Sequence, residues 1–351
     1  MSKERDLYLD FYRGLAVISI IWIHTVWWSG ESYTPHLLRN MALLLDVPFF
    51  MFLSGWSFSY NPDALKQFKN LFVIWLKWSF FLIIVHAFLH IVSETYRFPV
   101  LPVLLRQSFF IGKIPTLPVI MGSIWFMPMY MTILAVAALL ANWKAWESRN
   151  TLKLVFVFSL TGLCYLSIDQ HLNYFYLSSY FCFYTPFFIL GYTHATLQGT
   201  STKQFCFTQL TMRLMFICAG SFFLSLLYDK PLLNLQKVKF PPHILYFTES
   251  LISINLACFL HGKIDQIVRI SKLICFLGKN SLCFFFAQGI GSSLLFHIAP
   301  LINCHWSIKV LTCFVINCFL TIFIGLALYH IYLFLMPCIC STIRNVSSKI
   351  E

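Results

Sequence analysis

The 351-residue chain is 59% hydrophobic and only 11% charged, a balance that excludes an ordinary soluble domain. The formal net charge of +12 does not indicate a nucleic-acid partner, because the 25 Lys and Arg residues are scattered through short loops between apolar runs. We interpret these basic residues as topology signals and as contacts with anionic lipid head groups.

About ten apolar stretches are long enough to cross a membrane as helices. They predict an all-α integral membrane protein in which residues 1–351 form a single polytopic transmembrane domain. Lys and Arg are more frequent in the segments on the same side of the membrane as the N-terminus. This bias predicts that the N-terminus and the C-terminus are both cytoplasmic. The approximate limits of the spans are 13–29, 41–60, 71–92, 124–141, 153–168, 175–197, 210–228, 243–262, 273–297 and 307–336.

The outside loop 93–123 carries four prolines, and we expect it to re-enter the membrane or to lie on its surface. The twelve cysteines predict neither a disulfide framework nor a zinc site. Most of them lie inside apolar spans, where cysteine behaves as a small hydrophobic residue. The chain has no CxxC pair, so we expect no metal.

Arg13 and His24 in the first span are separated by ten residues, all of them apolar except Gly14 and Ser19. Eleven helical steps of ~100° end about 20° past three full turns, so the two side chains share one face and lie ~16 Å apart. If Arg13 lies at a membrane surface, His24 is near the middle of the bilayer. Ionisable residues are costly in lipid, which predicts that both face the protein interior or a wet cavity.

Each residue of this pair also has a simpler interpretation. Arg13 could anchor the topology at the interface, and His24 could make an ordinary interhelical hydrogen bond. Asp10 lies three residues before Arg13 on the same helical face, where it could hold the guanidinium. In the third span, His86, His90 and Glu94 form one stripe. This stripe could line a polar entrance or face the interface, and it lacks a full set of metal ligands.

Four motifs, in order along the chain, resemble those of the membrane-bound acyltransferase 3 family. The first is the R-x10-H spacing of Arg13 and His24. The stretch DVPFFMFLSGW from Asp46 is similar to the family's PxFFxxSG element, and GSIWFMP from Gly122 is similar to its WFL element. The fourth stretch, FLGKNSLCFFFAQ, ends at Gln288 and resembles an LGxxSLxIYxxH element.

Two positions depart from the family pattern. Gln288 stands where the family often has a histidine, so no catalytic role is placed there. The family's RxxR after the second span appears here as Lys66-Gln-Phe-Lys69, which keeps the charge but loses the bidentate geometry of arginine.

The resemblance implies an acyltransferase for groups other than amino-acyl groups, in a bacterial inner membrane. The commonest reaction is O-acetylation of a cell-surface glycan or its lipid-linked precursor, with cytoplasmic acetyl-coenzyme A as donor. Basic residues would then hold the donor phosphates, and its long arm would present the thioester to His24 as base or acyl relay. The implied catalytic residues are His24 and Arg13, and the implied donor-binding residues are Arg13, Lys66, Lys69, Lys77, Ser54 and Gly55.

Ser54 and Gly55 could line the donor pocket or simply allow close helix packing. Trp125, together with the His86, His90 and Glu94 stripe, is a candidate for the acceptor side. A non-enzymatic carrier, such as a transporter or a lipid-linked glycan flippase, is the alternative class. A carrier would be expected to show paired broken helices or repeat symmetry, and it gives no reason for the spacing of Arg13 and His24.

Overall fold

The structure is a computed structural model and describes residues 5–142, 146, 148–168, 176–198 and 207–347. Every regular element in these ranges is helical. In chain order the α-helices are α1 (Leu7–Trp27), α2 (His36–Ala42), α3 (Val47–Ser59), α4 (Ala64–Val92), α5 (Leu101–Ser108), α6 (Pro118–Ser123), α7 (Met127–Asn142), α8 (Arg149–Ile168), α9 (Tyr176–Gln198), α10 (Phe207–Tyr228), α11 (Leu235–Lys239), α12 (Ile244–Leu260), α13 (Asp265–Ile270), α14 (Lys272–Lys279), α15 (Ser281–Ile298) and α16 (Trp306–Ser347).

Within the described ranges, 8 helical stretches are long and apolar enough to cross a membrane. They correspond to eight of the ten predicted spans, and the prediction of an all-helical integral membrane protein is confirmed. The predicted spans 175–197 and 243–262 are helical but do not belong to this set. Tyr, Ser and Thr interrupt the apolar residues of α9, and α12 has only 17 residues.

The helices fall into two compact units. Unit 1 comprises the described residues within Met1–Trp27, Ser32–Leu71 and Phe126–Lys279. Unit 2 comprises those within Trp28–Glu31, Phe72–Trp125 and Asn280–Glu351. Arg13 and His24 both lie in unit 1, on α1.

In unit 1, α3 and α9 cross with their backbones in contact. A Cβ atom added at Gly55 would lie 1.8 Å from the Phe188 carbonyl oxygen, and one added at Gly191 would lie 1.8 Å from that of Phe52. Only glycine permits this approach, so small residues set the separation of the two helices. A similar crossing fixes α1 against α14, where a Cβ at Gly278 would lie 1.7 Å from the Asp10 carbonyl oxygen.

We expect Gly55→Ala to lower the free energy of unfolding by about 3 kcal/mol or more, because the added methyl group forces α3 away from α9. Gly220→Ala is the matched control, since Gly220 also lies inside a long helix but has nothing within 4 Å of an added Cβ. The control should be neutral or slightly stabilising, because alanine is the better helix former. Thermal unfolding of the two purified variants gives their melting temperatures. Equal melting temperatures would contradict the close contact between α3 and α9 at Gly55.

In unit 2, α15 packs against α16 and against α6. The Val119 backbone N–H donates to Ser293 Oγ over 3.0 Å, and Asn317 Nδ2 donates to Ser292 Oγ over 3.1 Å. Val119 and Ile120 are buried. The end of the proline-rich loop 93–123 therefore folds back onto a long helix of unit 2.

Candidate functional site

Helix α1 is continuous from Leu7 to Trp27, so Arg13 and His24 share one helical face and lie ~16 Å apart along its axis. The helix begins six residues before Arg13, whereas the sequence predicted a start at residue 13. It ends three residues after His24. The histidine therefore lies near the C-terminal end of the helix and not at its middle.

The Arg13 side chain is partly exposed, and its electrostatic neighbours include Tyr130 on α7 and Asp10. Asp10 acts on Arg13 through its charge, but its hydrogen bonds from an arginine side chain come from a different residue. Asp10 is buried and accepts hydrogen bonds from Arg5, from Nε over 2.5 Å and from Nη2 over 2.9 Å. Among the described residues, the Arg13 guanidinium has no hydrogen-bond partner. Its N–H groups are therefore available to an anionic ligand.

Ser54 lies on α3 beside the Tyr130 hydroxyl group, and its own hydroxyl donates to the Phe50 carbonyl oxygen over 2.8 Å. Ser54, Tyr130 and Arg13 thus form one polar group inside unit 1. The sequence suggested Ser54 but not Tyr130, whose hydroxyl is inconspicuous among the many aromatic residues of the chain. The sequence suggested that Gly55 either lines the donor pocket or allows close helix packing. In the structure it packs against the backbone of α9.

The His24 side chain is buried, with 7% of its surface exposed. Within the described part of the chain its Nδ1 atom has no hydrogen-bond partner. Among the described residues, Lys239 and Asp46 act on the imidazole through their charges. A buried imidazole with an unpaired nitrogen can accept a proton or attack an acyl group.

Lys239 and Asp46 form a buried ion pair that the sequence did not predict. The Lys239 Nζ atom donates to Asp46 Oδ2 over 2.5 Å, and the Tyr246 hydroxyl donates to the same oxygen over 3.0 Å. In the sequence, Asp46 was noted only as the first residue of the DVPFFMFLSGW motif. A carboxylate at the start of an apolar span needs a charged or hydrogen-bonding partner. The position of Asp46 was therefore the sequence signal that could have indicated a buried ion pair.

The predicted donor-binding lysines occupy different surroundings. Lys66 and Lys69 are exposed in the first two turns of α4, where the Lys66 backbone N–H donates to Asp63 Oδ1 over 2.7 Å. Lys77 belongs to unit 2. Its Nζ atom lies 5.4 Å from the ring centroid of Tyr332, whose hydroxyl donates to the Lys77 carbonyl oxygen.

The predicted acceptor-side residues all lie in unit 2. Both ring nitrogens of His86 are used: Tyr96 Oη donates to Nδ1 over 2.6 Å, and Nε2 donates to Gln107 Oε1 over 2.7 Å. His90 and Glu94 are exposed, and His90 Nδ1 donates to the Tyr96 carbonyl oxygen over 2.9 Å.

Trp125 is half-buried in the turn between α6 and α7. The hydrogen bonds of His86 to Tyr96 and Gln107 attach the loop 93–123 to α4.

The family model described as an acyltransferase domain, of the acyltransferase 3 family, matches residues 6–337. No curated protein and no solved structure matches the chain. The match extends over nearly the whole chain, including α1 and the ion pair beside His24, and it favours an enzyme over a carrier. The chain belongs to the acyltransferase 3 family and is a membrane acyltransferase.

Proposed function

We propose that this protein is an O-acetyltransferase that moves an acetyl group from cytoplasmic acetyl-coenzyme A to a glycan hydroxyl. The acceptor is a cell-surface polysaccharide of O-antigen, capsule or exopolysaccharide type, or its lipid-linked precursor. The observation that carries the proposal is the presence on α1 of both Arg13 and the buried His24. Among the described residues, the Arg13 guanidinium and His24 Nδ1 have no hydrogen-bond partner. In a bacterial inner membrane with both termini cytoplasmic, Arg13 lies toward the donor side.

Arg13 binds a phosphate group of the donor, for which a planar guanidinium with several N–H groups is well suited. Lys66 and Lys69 add positive charge, while Ser54 and Tyr130 supply hydroxyl groups beside Arg13. The arm of the donor follows the shared face of α1, which brings the thioester to His24.

At His24 the imidazole removes the proton of the acceptor hydroxyl, and the oxygen attacks the thioester carbonyl carbon. The carbon–sulfur bond breaks, and the leaving coenzyme A thiolate takes the proton from the imidazolium. In a second version, a ring nitrogen of His24 attacks the thioester carbonyl carbon, the carbon–sulfur bond breaks, and the thiolate takes the ring N–H proton and leaves as the thiol. The acceptor oxygen then attacks the acetyl group, the carbon–nitrogen bond breaks, and the hydroxyl proton passes to the ring. In both versions the burial of His24 excludes water, which would otherwise hydrolyse the thioester.

For acceptor recognition we assign the candidate residues of unit 2, which are Trp125 and the exposed His90 and Glu94. His86 supports these residues by attaching the loop 93–123 to α4.

Mass spectrometry of surface polysaccharide from cells with and without the gene tests the function. We expect the repeat unit to carry one more acetyl group when the protein is present. A strain that expresses His24→Ala at equal level is the control and should resemble the strain without the gene. Identical masses in all three strains, at normal expression, would reject glycan O-acetylation.

A further inference from the structure

We propose that Arg39, which stacks on Trp27 at the end of α1, binds a phosphate or carboxylate group of the glycan acceptor. This contact places the reacting hydroxyl of the acceptor at His24. The inference rests on the proposed function, because it takes His24 as the place of transfer and a glycan as the acceptor.

The first argument is the position of Trp27 on α1. Trp27 is the last residue of the helix and lies three residues, or ~4.5 Å along the axis, beyond His24. Counted from Arg13 in steps of ~100°, His24 falls about 20° past three turns and Trp27 about 40° short of four. The three side chains therefore lie within ~60° of one another around the helix. The helical face that Arg13 and His24 share thus extends to Trp27.

The second argument is the attachment of Arg39 to Trp27. Arg39 lies on α2, and its Cζ atom is 4.0 Å from the centroid of the Trp27 ring. Trp27 Nε1 donates to the Arg39 carbonyl oxygen over 2.8 Å. Both side chains are half-buried, so a ligand can reach them. One contact holds the guanidinium and the other holds the main chain, which fixes a positive charge about one helical turn beyond His24.

The residue after Arg39 holds the short helix α2 in place. Asn40 is buried, and its Nδ2 atom donates to the His36 carbonyl oxygen over 2.9 Å. Its Oδ1 atom accepts a hydrogen bond from the Gln236 backbone N–H over 3.3 Å. The segment that carries Arg39 is therefore tied to α11 as well as to α1.

The third argument is the edge of the guanidinium that the protein leaves unused. A guanidinium has five N–H groups, and Arg39 Nη1 donates to Ser32 Oγ over 2.6 Å. In the part of the chain that the structure describes, Arg39 Nε is buried without a hydrogen-bond partner, and no carboxylate forms an ion pair with Arg39. Nε and Nη2 together form the edge of arginine that binds two oxygen atoms of a carboxylate or phosphate at once.

These contacts favour an anionic acceptor over a neutral one. A buried N–H group without a partner is unfavourable, and an oxyanion on the same edge removes that penalty. A bidentate contact is also directional, so an anion bound at Arg39 orients the sugar that carries it. The carboxylate of an acidic sugar and the phosphate that links a glycan to a lipid both fit this edge. Arg39 binds the acceptor and keeps its proton, while the transfer at His24 proceeds as described above.

The test measures the transfer of radiolabelled acetyl groups by the full-length purified protein at saturating acetyl-coenzyme A. Membranes from a strain lacking the gene supply the acceptor, and the amount that gives half the maximal rate is the apparent KM for the acceptor. We expect Arg39→Met to raise this value about 10-fold or more, because methionine keeps an apolar stem over Trp27 but loses the charge. Arg39→Lys should recover part of the loss. The KM for acetyl-coenzyme A should change less than about threefold, since Trp27 is ~21 Å from Arg13 along α1.

The matched control is Lys263→Met. Lys263 is exposed in unit 1, and its Nζ atom lies 3.3 Å from the centroid of the Phe259 ring. This substitution also removes a positive charge that is stacked on an aromatic ring, and it should leave the apparent KM for the acceptor within about twofold. If Arg39→Met and Lys263→Met have the same apparent KM, Arg39 only anchors the end of α1 and the inference is wrong.

A competition experiment tests the charge in the unsubstituted protein, so it decides the question even if Arg39→Met folds poorly. The competitors are inorganic pyrophosphate, methyl glucuronide and, as its neutral counterpart, methyl glucoside. We expect one of the two anions to raise the apparent KM for the acceptor more than methyl glucoside does, and Arg39→Met should abolish this difference. Competition by pyrophosphate identifies the phosphate of a lipid-linked glycan, and competition by methyl glucuronide identifies an acidic sugar. If neither anion competes more strongly than methyl glucoside, the inference is wrong.

His24→Ala separates this inference from the proposed function. If His24→Ala keeps its activity, the proposed function fails as a whole. If His24→Ala is inactive but Arg39→Met keeps the apparent KM of the unsubstituted protein, only the inference about Arg39 fails.

Discussion

His24→Ala should abolish acyl transfer while leaving the affinity for coenzyme A within about threefold of that of the unsubstituted protein. A positioned general base contributes about 100- to 10,000-fold to a rate, and an acyl relay through the same ring would be lost completely. Donor affinity should be preserved because Arg13 lies ~16 Å away along α1. Thermal shift with coenzyme A reports binding, and transfer of radiolabelled acetyl groups to membranes reports the reaction.

The control for this substitution is His330→Ala, because His330 is exposed on α16 in unit 2. It should bind donor and transfer acetyl groups normally. Substantial transfer by His24→Ala, at normal expression, would remove the imidazole from the chemistry. Loss of coenzyme A binding in His24→Ala would instead indicate that the ring holds the donor.

Arg13→Ala should weaken the binding of coenzyme A by about 10- to 100-fold. A hydrogen bond to a charged group contributes about 1.5–3 kcal/mol, and each 1.4 kcal/mol corresponds to a factor of about ten in affinity. Arg13→Lys should recover part of this loss, since lysine keeps the charge but cannot form the bidentate contact. Titration with coenzyme A, followed by thermal shift, gives the three affinities.

Arg106→Ala removes the same charge from an exposed position on α5 in unit 2 and serves as the control. Its affinity for coenzyme A should not change. If Arg13→Ala binds as tightly as Arg106→Ala, then Arg13 is an interfacial anchor and the donor lies elsewhere.

The helical face shared by Arg13 and His24 could be predicted because it depends only on periodicity within one segment. Long apolar runs likewise predict membrane helices, since length and composition decide whether a segment can cross a bilayer. The ends of α1 were harder to predict. Its first turn is fixed by contacts from a distant segment: the Tyr8 hydroxyl donates to Asp265, and the Tyr8 ring stacks on His261.

The charged pair beside His24 could not be predicted in this way. Asp46 and Lys239 are separated by 193 positions, and a single sequence does not specify which elements pack together. Helical spacing placed Asp10 near Arg13, and the charge of Asp10 does act on Arg13. The spacing gave no sign that Arg5, on the preceding segment, would take both carboxylate oxygens. The predicted stripe of His86, His90 and Glu94 is only partly correct, because α4 ends at Val92 and Glu94 lies beyond it. The Gln107 partner of His86 could not be predicted.

The close crossing of α3 and α9 at Gly55 and Gly191 has a practical consequence for measurements outside the cell. Its contacts are van der Waals contacts between main-chain atoms, and these do not depend on a difference in polarity between lipid and protein. Exchange of the bilayer for a detergent micelle should therefore leave this crossing intact. Ser54 directly precedes Gly55 on α3, so the polar group of Ser54, Tyr130 and Arg13 should persist in the solubilised enzyme used for titrations.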